Sequence, residues 1–196
     1  PYSASKAACE LATSSMSQSF LRLRGVRVAT ARAGNVIGGG DFAAWRLVPD
    51  VVRAARSDEA LHLRDAGATR PWQHVLDCVG GYLRYLAALG CDDSLPRALN
   101  FGPRSSAQPT AGDLAAAVQR ALGVTPGWMS RPDPTLPERH TVVIDSSLAR
   151  RWLGWSERLS NRRMVEWTAA WYRAWADGAD MRAVTLQQIH DYEALP

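Results

Sequence analysis

Two residues near the start of the sequence have the types and the spacing of an acid–base pair. Tyr2 stands four positions before Lys6, and Lys6 is the one lysine among 23 Lys and Arg residues. Residues i and i+4 of a helix lie on one face, so both side chains can border the same small volume. A phenol, with a reference pKa of about 10, is a poor base at neutral pH, but a nearby ammonium favours the phenolate. Such a pair can accept the proton of a hydroxyl group that is being oxidised.

The lysine at position 6 can be explained either by a chemical requirement or by chance. A compact, flexible ammonium can hydrogen-bond both hydroxyls of a ribose, where a broad guanidinium fits poorly, and this would explain why an arginine-rich chain keeps Lys6. The alternative is chance, because a tyrosine followed by lysine at this spacing is common on helix surfaces. In that reading Lys6 is solvated and Tyr2 is half-buried.

The composition excludes several classes of protein. With 46% apolar residues in 196, the chain can bury a substantial core, and a net charge of +4 with scattered arginines argues against a nucleic-acid-binding protein. No apolar run approaches the roughly 18 residues of a membrane span. The cysteines Cys9, Cys78 and Cys91 are far apart, with no histidine at metal-ligand spacing. We therefore expect reduced thiols, a cytoplasmic protein and no metal site.

The chain begins with a predicted αβ unit. A helical pattern from Ser3 to about Arg24 ends at Gly25, and β-branched residues then predict a strand from Val26 to about Ala33 that leads into the glycines 38–40. Such a unit is typical of a parallel sheet, so the expected fold class is α/β. The later predicted elements are helices in 46–57, 76–90, 110–123, 146–155, 160–176 and the tail, and strands in 61–63, 72–75, 97–103 and 139–145.

Two patterns in these later elements have both a structural and a functional reading. Trp167, Trp171 and Trp175 form an aromatic stripe at helical spacing, which more often packs in a core than binds a ligand. The glycines 38–40 lack the Gly-Lys-Ser/Thr ending of a P-loop, so they predict a flexible substrate loop.

Several stretches in order along the chain resemble the extended short-chain dehydrogenase/reductase superfamily and, within it, the CDP-glucose 4,6-dehydratase family. The stretches are PYSASKAACEL, ATARAGNVIGGGDF, LVPDVVRA, ATRPWQHVLD, LNFGP, RRWLGW, WYRAW and DMRAVTLQQI. The resemblance implies an extended Rossmann-type parallel sheet with a smaller substrate-binding lobe. It also implies bound NAD and conversion of CDP-glucose to CDP-4-keto-6-deoxyglucose through transient hydride transfer.

The resemblance assigns roles to residues that match the motifs of the superfamily. Tyr2 is implied as the active-site base and Lys6 as its electrostatic and ribose-binding partner, while the backbone from Ala33 to Val36 passes the nicotinamide. Asn35 is implied to contact both the cofactor region and the substrate diphosphate.

The implied substrate contacts are spread over the rest of the chain. Arg70 pairs with the diphosphate, a role that suits a charge-assisted bidentate donor. The other implied contacts are Leu47, Val48, Pro49, Asn100, Glu138 and, by proximity alone, His140. Each polar residue also has a purely structural explanation. In that case the asparagines lie in turns, Arg70 forms a surface ion pair and Glu138 is a solvated loop charge.

The resemblance covers only the C-terminal part of such an enzyme. Its glycine-rich dinucleotide turn, the Ser/Thr that assists the tyrosine and the groups that handle C5 and C6 all precede the tyrosine. We therefore expect a fragment that is unstable or inactive alone, with 1–33 and 98–102 belonging to the dinucleotide-binding sheet and 34–97 and 103–196 mostly to the substrate lobe and C-terminal helices. Relatives commonly form homodimers through the first helix, where Leu11, Met16 and Phe20 serve either a dimer interface or the core. An epimerase or dehydratase of another specificity, or a non-catalytic sugar-nucleotide-binding module, remains an alternative.

Overall fold

The structure is a computed structural model that describes residues 1–57, 59–104, 108–133 and 139–196. The helices are α1 (Tyr2–Met16), α2 (Leu47–Arg56), α3 (Val75–Leu89), α4 (Ala111–Ala121), α5 (Ser147–Leu153), α6 (Asn161–Ala176) and α7 (Met181–Glu193). The strands are β1 (Thr30–Ala33), β2 (Asn35–Ile37), β3 (His62–Leu63), β4 (Trp72–His74), β5 (Ala98–Phe101) and β6 (Met129–Ser130).

All the strands pair in parallel, which confirms the predicted α/β class. Strand β1 pairs with β5, with Thr30 opposite Ala98, so the ladder joins the two stretches assigned to one sheet. Strand β2 pairs with β4, with Asn35 opposite Trp72, and β3 pairs with β6. Because β1 and β2 are consecutive, the chain passes directly from the first ladder to the second.

The close approach at Gly34 shapes this passage between ladders. Its N–H donates to the carbonyl of Phe101 at 3.3 Å, and the next N–H, of Asn35, donates to the carbonyl of Pro71 at 3.0 Å. A Cβ at position 34 would overlap the Pro71 oxygen, so no other residue fits there without moving the backbone. The contact holds the two ladders side by side.

Two hydrophobic clusters form the core. One is built from α2, α4 and α6 with strands β2 to β4, and it includes Val51, Leu114 and Tyr172. The other lies between β5, α3 and α5, around the fully buried Phe101. Two residues of the aromatic stripe belong to the first cluster, because Trp171 is buried in it and Trp175 packs against it, as the packing interpretation predicts.

Local signals set most of the helix ends. Thr110 and Asp113 form a capping box at the start of α4, and the Asp145 carboxylate accepts from the N–H of Ser147 at the start of α5. The first helix continues through a π-helical turn and a 3₁₀ turn to Gly25, whose φ of 71° is in the left-handed region.

Two predicted strands differ from the structure. The first spans only Thr30–Ala33, because β5 offers partners to these four residues and none to 26–29. In the predicted strand at 139–145, the described residues make a single bridge, between Thr69 and Thr141, so this prediction is wrong.

Helix α1 lies largely outside the core, since it has no buried residue. Leu11, Met16 and Phe20 are 73%, 51% and 56% exposed, so they do not belong to either cluster, and their part in a homodimer stays a prediction. All three cysteines are free. Within the described ranges, no helix combines the length and apolarity that crossing a membrane requires.

Candidate active site

One large pocket, of about 1430 Å³, lies where the carboxyl ends of β1 and β3 and the starts of α1 and α2 meet. It exceeds the range of about 300–1,000 Å³ of ordinary small-molecule pockets, so a nucleotide sugar can be accommodated. The predicted site residues that border it are Tyr2, Ala33, Asn35, Val36, Leu47, Val48, Pro49 and Arg70.

Tyr2 and Lys6 share one face of α1, as their spacing predicts. The ammonium nitrogen of Lys6 is 5.6 Å from the centroid of the Tyr2 ring. Tyr2 borders the pocket and is 75% exposed, and Lys6 is exposed one helical turn farther from the pocket. The phenol and the ammonium are therefore both available to a ligand at this end of the pocket.

The segment that joins β1 to β2 forms the wall next to Tyr2. Ala33, Asn35 and Val36 border the pocket, and Asn35 is exposed while its N–H is held by Pro71. An amide side chain fixed at its backbone in this way can donate to or accept from a polar ligand.

The start of α2 forms an apolar wall. Val48 and Pro49 are buried, and Leu47 is half-buried beside them. Proline suits this first turn of a helix because its missing N–H would have no partner there.

Arg70 borders the pocket between β3 and β4. One of its guanidinium nitrogens donates to the carbonyl of Thr69 at 2.8 Å and to that of His140 at 3.3 Å. These contacts fix one edge of the guanidinium against the backbone and orient the arginine beside the pocket.

Two predicted substrate contacts, Asn100 and His140, do not border the pocket. The amide nitrogen of Asn100 donates to the carbonyl of Asp145 at 3.0 Å, on the ladder between β1 and β5. His140 pairs through Nδ1 with the Asp65 carboxylate at 3.1 Å, and this partner lowers the pKa of Asp65. Glu138 lies outside the described residues. The roles of all three stay predictions.

The pocket also has residues that the motifs do not single out. Arg64 and Arg131 border it, and they follow directly after the paired strands β3 and β6, in which Leu63 lies opposite Ser130. The register therefore brings the two arginines side by side, although they are far apart in the sequence. Trp45 also borders the pocket, with its side chain 90% exposed. A two-residue strand such as β6 has no sequence signal from which this placement could be predicted.

A buried histidine lies beneath the glycine loop. His74 is 1% exposed, and its Nδ1 accepts from the N–H of Leu76 at 3.2 Å, which caps α3. Burial lowers the pKa of His74 to about 4, so the ring is neutral near pH 7. A Cβ added at Gly38 would lie 3.9 Å from its Nε2, which places the ring directly under the loop.

The end of the pocket near Tyr2 fits the nicotinamide and ribose portion of NAD. The Tyr2 phenol and the Asn35 amide border this end, and the Lys6 ammonium, which is not part of the pocket lining, is exposed one helical turn away. These groups can hydrogen-bond ribose hydroxyls and a carboxamide. Among the described residues, no cluster of three His, Cys, Asp or Glu side chains could hold a metal ion.

The sequence profile of the NAD dependent epimerase/dehydratase family matches residues 1–102, which is more than half of the chain. The chain belongs to this family. The match includes Tyr2, Lys6, Asn35 and Arg70, so most of the pocket lies within the segment that defines the family.

A curated member of the family matches beyond that segment. The chain is 33% identical over 198 aligned positions to the CDP-glucose 4,6-dehydratase of Salmonella typhimurium strain LT2. The alignment covers 98% of this chain and 55% of that protein, so the chain spans about half the length of the relative it matches.

Solved structures of similar proteins share the fold. A dTDP-glucose 4,6-dehydratase from Bacillus anthracis, in complex with NAD, has a TM-score of 0.72 and 19% identity, over 91% of this chain and 54% of that one. A UDP-glucuronic acid 4-epimerase from Bacillus cereus, in complex with UDP-glucuronic acid and NAD, has a TM-score of 0.72 and 17% identity, over 89% and 53%. At these identities the likeness establishes the Rossmann-type epimerase/dehydratase fold.

Proposed function

We propose that this chain supplies the Tyr-Lys pair and the sugar-nucleotide pocket of a cytoplasmic CDP-glucose 4,6-dehydratase, which converts CDP-glucose to CDP-4-keto-6-deoxyglucose. The observation that carries the proposal is the 33% identity to a CDP-glucose 4,6-dehydratase along 98% of the chain. In this proposal 1–33 and 98–102 belong to the dinucleotide-binding sheet, the rest belongs mostly to the substrate lobe, and the assembled enzyme is a homodimer.

The chemical step assigned to this chain is a proton transfer at the sugar. NAD bound beside Tyr2 and Lys6 would supply reversible hydride transfer at C4 and C6 of the sugar. Tyr2 takes the proton of the 4-hydroxyl through its phenol oxygen, and the ammonium nitrogen of Lys6 lies 5.6 Å from the centroid of its ring. Lys6 also holds the ribose hydroxyls of the cofactor.

The substrate contacts assigned to this chain follow the pocket from Tyr2 outward. Asn35 and Arg70 bind the diphosphate, and Arg64 and Arg131 extend this cationic wall. Leu47, Val48 and Pro49 pack against the nucleoside. Asn100, Glu138 and His140 remain proposed substrate contacts.

The test is a turnover assay with the protein expressed from its complete gene. CDP-glucose and NAD are added, and the product is identified by mass spectrometry, as loss of one water, and by NMR of the 4-keto-6-deoxy sugar. The UDP, dTDP and GDP forms of glucose are assayed in parallel. The Tyr2→Phe variant, which keeps the ring and loses the hydroxyl, is the matched control.

The outcomes separate the candidate functions. Dehydration of CDP-glucose that Tyr2→Phe lowers by at least about 10²-fold supports the proposal. Dehydration of another nucleotide sugar, or a product of unchanged mass with an inverted centre, would assign a different specificity or an epimerase. Nucleotide binding with no product from any of the four substrates would identify a non-catalytic binding module.

A further inference from the structure

Trp45 combines an unusual backbone conformation with an exposed indole at the pocket. Its φ is 65°, and it is the one non-glycine residue with a positive φ in the described parts of the chain. Its side chain is 90% exposed and borders the pocket two residues before the first turn of α2. Within the same described residues, no aromatic ring or guanidinium stacks on the indole.

The fold gains little from tryptophan at this position. A left-handed backbone conformation disfavours a residue with a bulky side chain, whereas glycine and asparagine adopt it readily. An indole that is 90% exposed also buries almost no apolar surface. Because strain of this kind persists where the surroundings enforce it, the contacts that hold the segment are informative.

Several contacts from the core side hold the loop that carries Trp45. The hydroxyl of Tyr172, on α6, donates to the carbonyl of Asp41 at 2.5 Å. The guanidinium of Arg53, on α2, donates to the carbonyls of Phe42 and Ala43 at 3.1 and 3.3 Å. These three carbonyls fix 41–43, so the backbone enters position 45 from a constrained direction.

Side-chain contacts hold the same loop at both of its ends. The Phe42 ring packs against Trp171, Tyr172 and Trp175, with centroid distances of 6.3, 5.8 and 4.8 Å. The Arg46 guanidinium pairs with the Asp41 carboxylate at 3.1 Å, which closes the loop across Trp45. The backbone that carries the indole is thus held at the edge of the pocket from both sides.

We propose that Trp45 is the surface on which the nucleobase of the sugar nucleotide stacks. The inference rests on the proposed function, since it needs a nucleotide in this pocket. A flat, exposed aromatic ring on a fixed backbone loses little conformational freedom when a planar base stacks on it, so stacking is favourable. The arginines Arg64, Arg70 and Arg131 provide a separate cationic wall for the diphosphate, which leaves the base to a neutral aromatic partner.

Calorimetric titrations with the protein expressed from its complete gene test this role. The ligands are CDP, UDP, dTDP and GDP, with inorganic pyrophosphate as the ligand that has no base. We expect Trp45→Ala to weaken the preferred nucleoside diphosphate about tenfold, and Trp45→Phe, which keeps an aromatic ring, to weaken it less than about threefold. Pyrophosphate affinity should be unchanged in both. Trp152→Ala is the matched control, because Trp152 is 42% exposed and does not border the pocket.

A second variant separates ligand stacking from a structural role. Trp45→Asn relieves the backbone strain, so its melting temperature should equal or exceed that of the wild type while its nucleotide affinity falls as in Trp45→Ala. A structural role would lower both.

Four results would overturn the stacking role. Two concern affinity in Trp45→Ala: nucleotide affinity equal to that of Trp152→Ala, or a loss of pyrophosphate affinity as large as the loss of nucleotide affinity. The others are a lower melting temperature in Trp45→Asn and no nucleoside diphosphate binding by the wild type. The last would also remove the proposed function. A Trp45-dependent affinity for UDP, dTDP or GDP in place of CDP would leave the stacking role standing and overturn only the specificity.

Discussion

The hydroxyl of Tyr192 donates a hydrogen bond to Oδ1 of Asp77 at 2.9 Å, and this contact joins the last helix to the first turn of α3. Asp77 is 1% exposed and also accepts from the backbone N–H groups of Arg158 and Leu159. Burial raises the pKa of Asp77 and that of Tyr192. Helix α7 has no fully buried residue, so it is held by the packing of Met181 and Val184 against the first cluster together with polar contacts such as this one.

Removal of the Tyr192 hydroxyl should therefore destabilise the protein. The Tyr192→Phe variant keeps the ring but takes one hydrogen bond from a buried carboxylate, and we expect the free energy of unfolding to fall by about 1.5–3 kcal/mol. Urea denaturation measures the change. Leu186→Ala, at a 50% exposed position of the same helix, is the control and should stay within about 0.5 kcal/mol. Equal values for the two variants would mean that the hydroxyl does not hold α7.

The glycine loop should not tolerate a side chain at position 39. A Cβ there would overlap Cγ of Trp171, in a densely packed part of the core. We expect Gly39→Ala to cost about 3 kcal/mol or more in stability and to lower nucleotide affinity, because Gly38, Gly39 and Asp41 border the pocket. Gly127→Ala is the control, since no atom lies within 4 Å of the place that its methyl group would take. Thermal unfolding measures the effect on stability, and calorimetric titration measures the effect on nucleotide affinity. A Gly39→Ala variant as stable as Gly127→Ala would contradict the close packing of Gly39 on Trp171.

Acid should destabilise the protein through His74. The pKa of His74 is lowered to about 4 by burial, below the ordinary 6.5, so the unfolded chain binds a proton in this interval and the folded chain does not. The contribution of His74 to the free energy of unfolding is fully present above about pH 6.5. It is lost as the pH falls toward 4, by at most about 3 kcal/mol.

The His74→Asn variant isolates the contribution of His74 to the pH dependence of stability. Asparagine can still accept from the N–H of Leu76 at the cap of α3 but does not titrate, so the fall in stability between pH 6.5 and 4 should become shallower. Urea denaturation across this interval measures the slope. A wild-type slope in His74→Asn would refute the assignment.

Conversion of Lys6 to arginine tests why the chain has one lysine. In the proposed function Lys6→Arg keeps the positive charge beside Tyr2 but replaces the compact ammonium that holds the ribose, so we expect turnover of CDP-glucose to fall at least about tenfold. Arg24→Lys, an exposed exchange in the turn that follows α1, is the control. A fully active Lys6→Arg variant would support the reading of Lys6 as a solvated surface residue.

Local signals in the sequence predict the helices well, because caps and periodicity act within a few residues. Thr110 with Asp113 begins α4 where the pattern predicts, and α5 begins at Ser147 with Ser146 as its N-cap, one residue after Asp145. Strand ends depend on distant partners, which explains why the strand predicted from Val26 begins at Thr30, opposite Ala98. The strand predicted at 139–145 fails for the same reason, since among its described residues Thr141 alone finds a partner.

The candidate site likewise combines residues that local motifs predict with residues that long-range contacts position. Motifs single out Tyr2, Asn35 and Arg70, and the structure brings all three to one pocket. Arg131 reaches that pocket only through the short ladder of β3 and β6, and Trp45 is distinguished by a backbone angle that no pattern of residue types encodes. Long-range pairing and local strain are therefore the parts of the site that sequence reasoning misses.

The exposed position of α1 has a consequence for limited proteolysis. The helix that carries Tyr2 and Lys6 has no buried residue, and its side-chain contacts with the rest of the described chain run from Glu10 to Thr30 and Arg32. The start of α2, with the buried Val48 and Pro49, and the loop 41–43 before Trp45 are held by the packed core instead. A protease should therefore cut α1 before the packed elements, and mass spectrometry of the products over time would show the order of cleavage. Under the proposed function, the groups that bind the nucleotide would then lie on a different proteolytic fragment from the tyrosine that reacts.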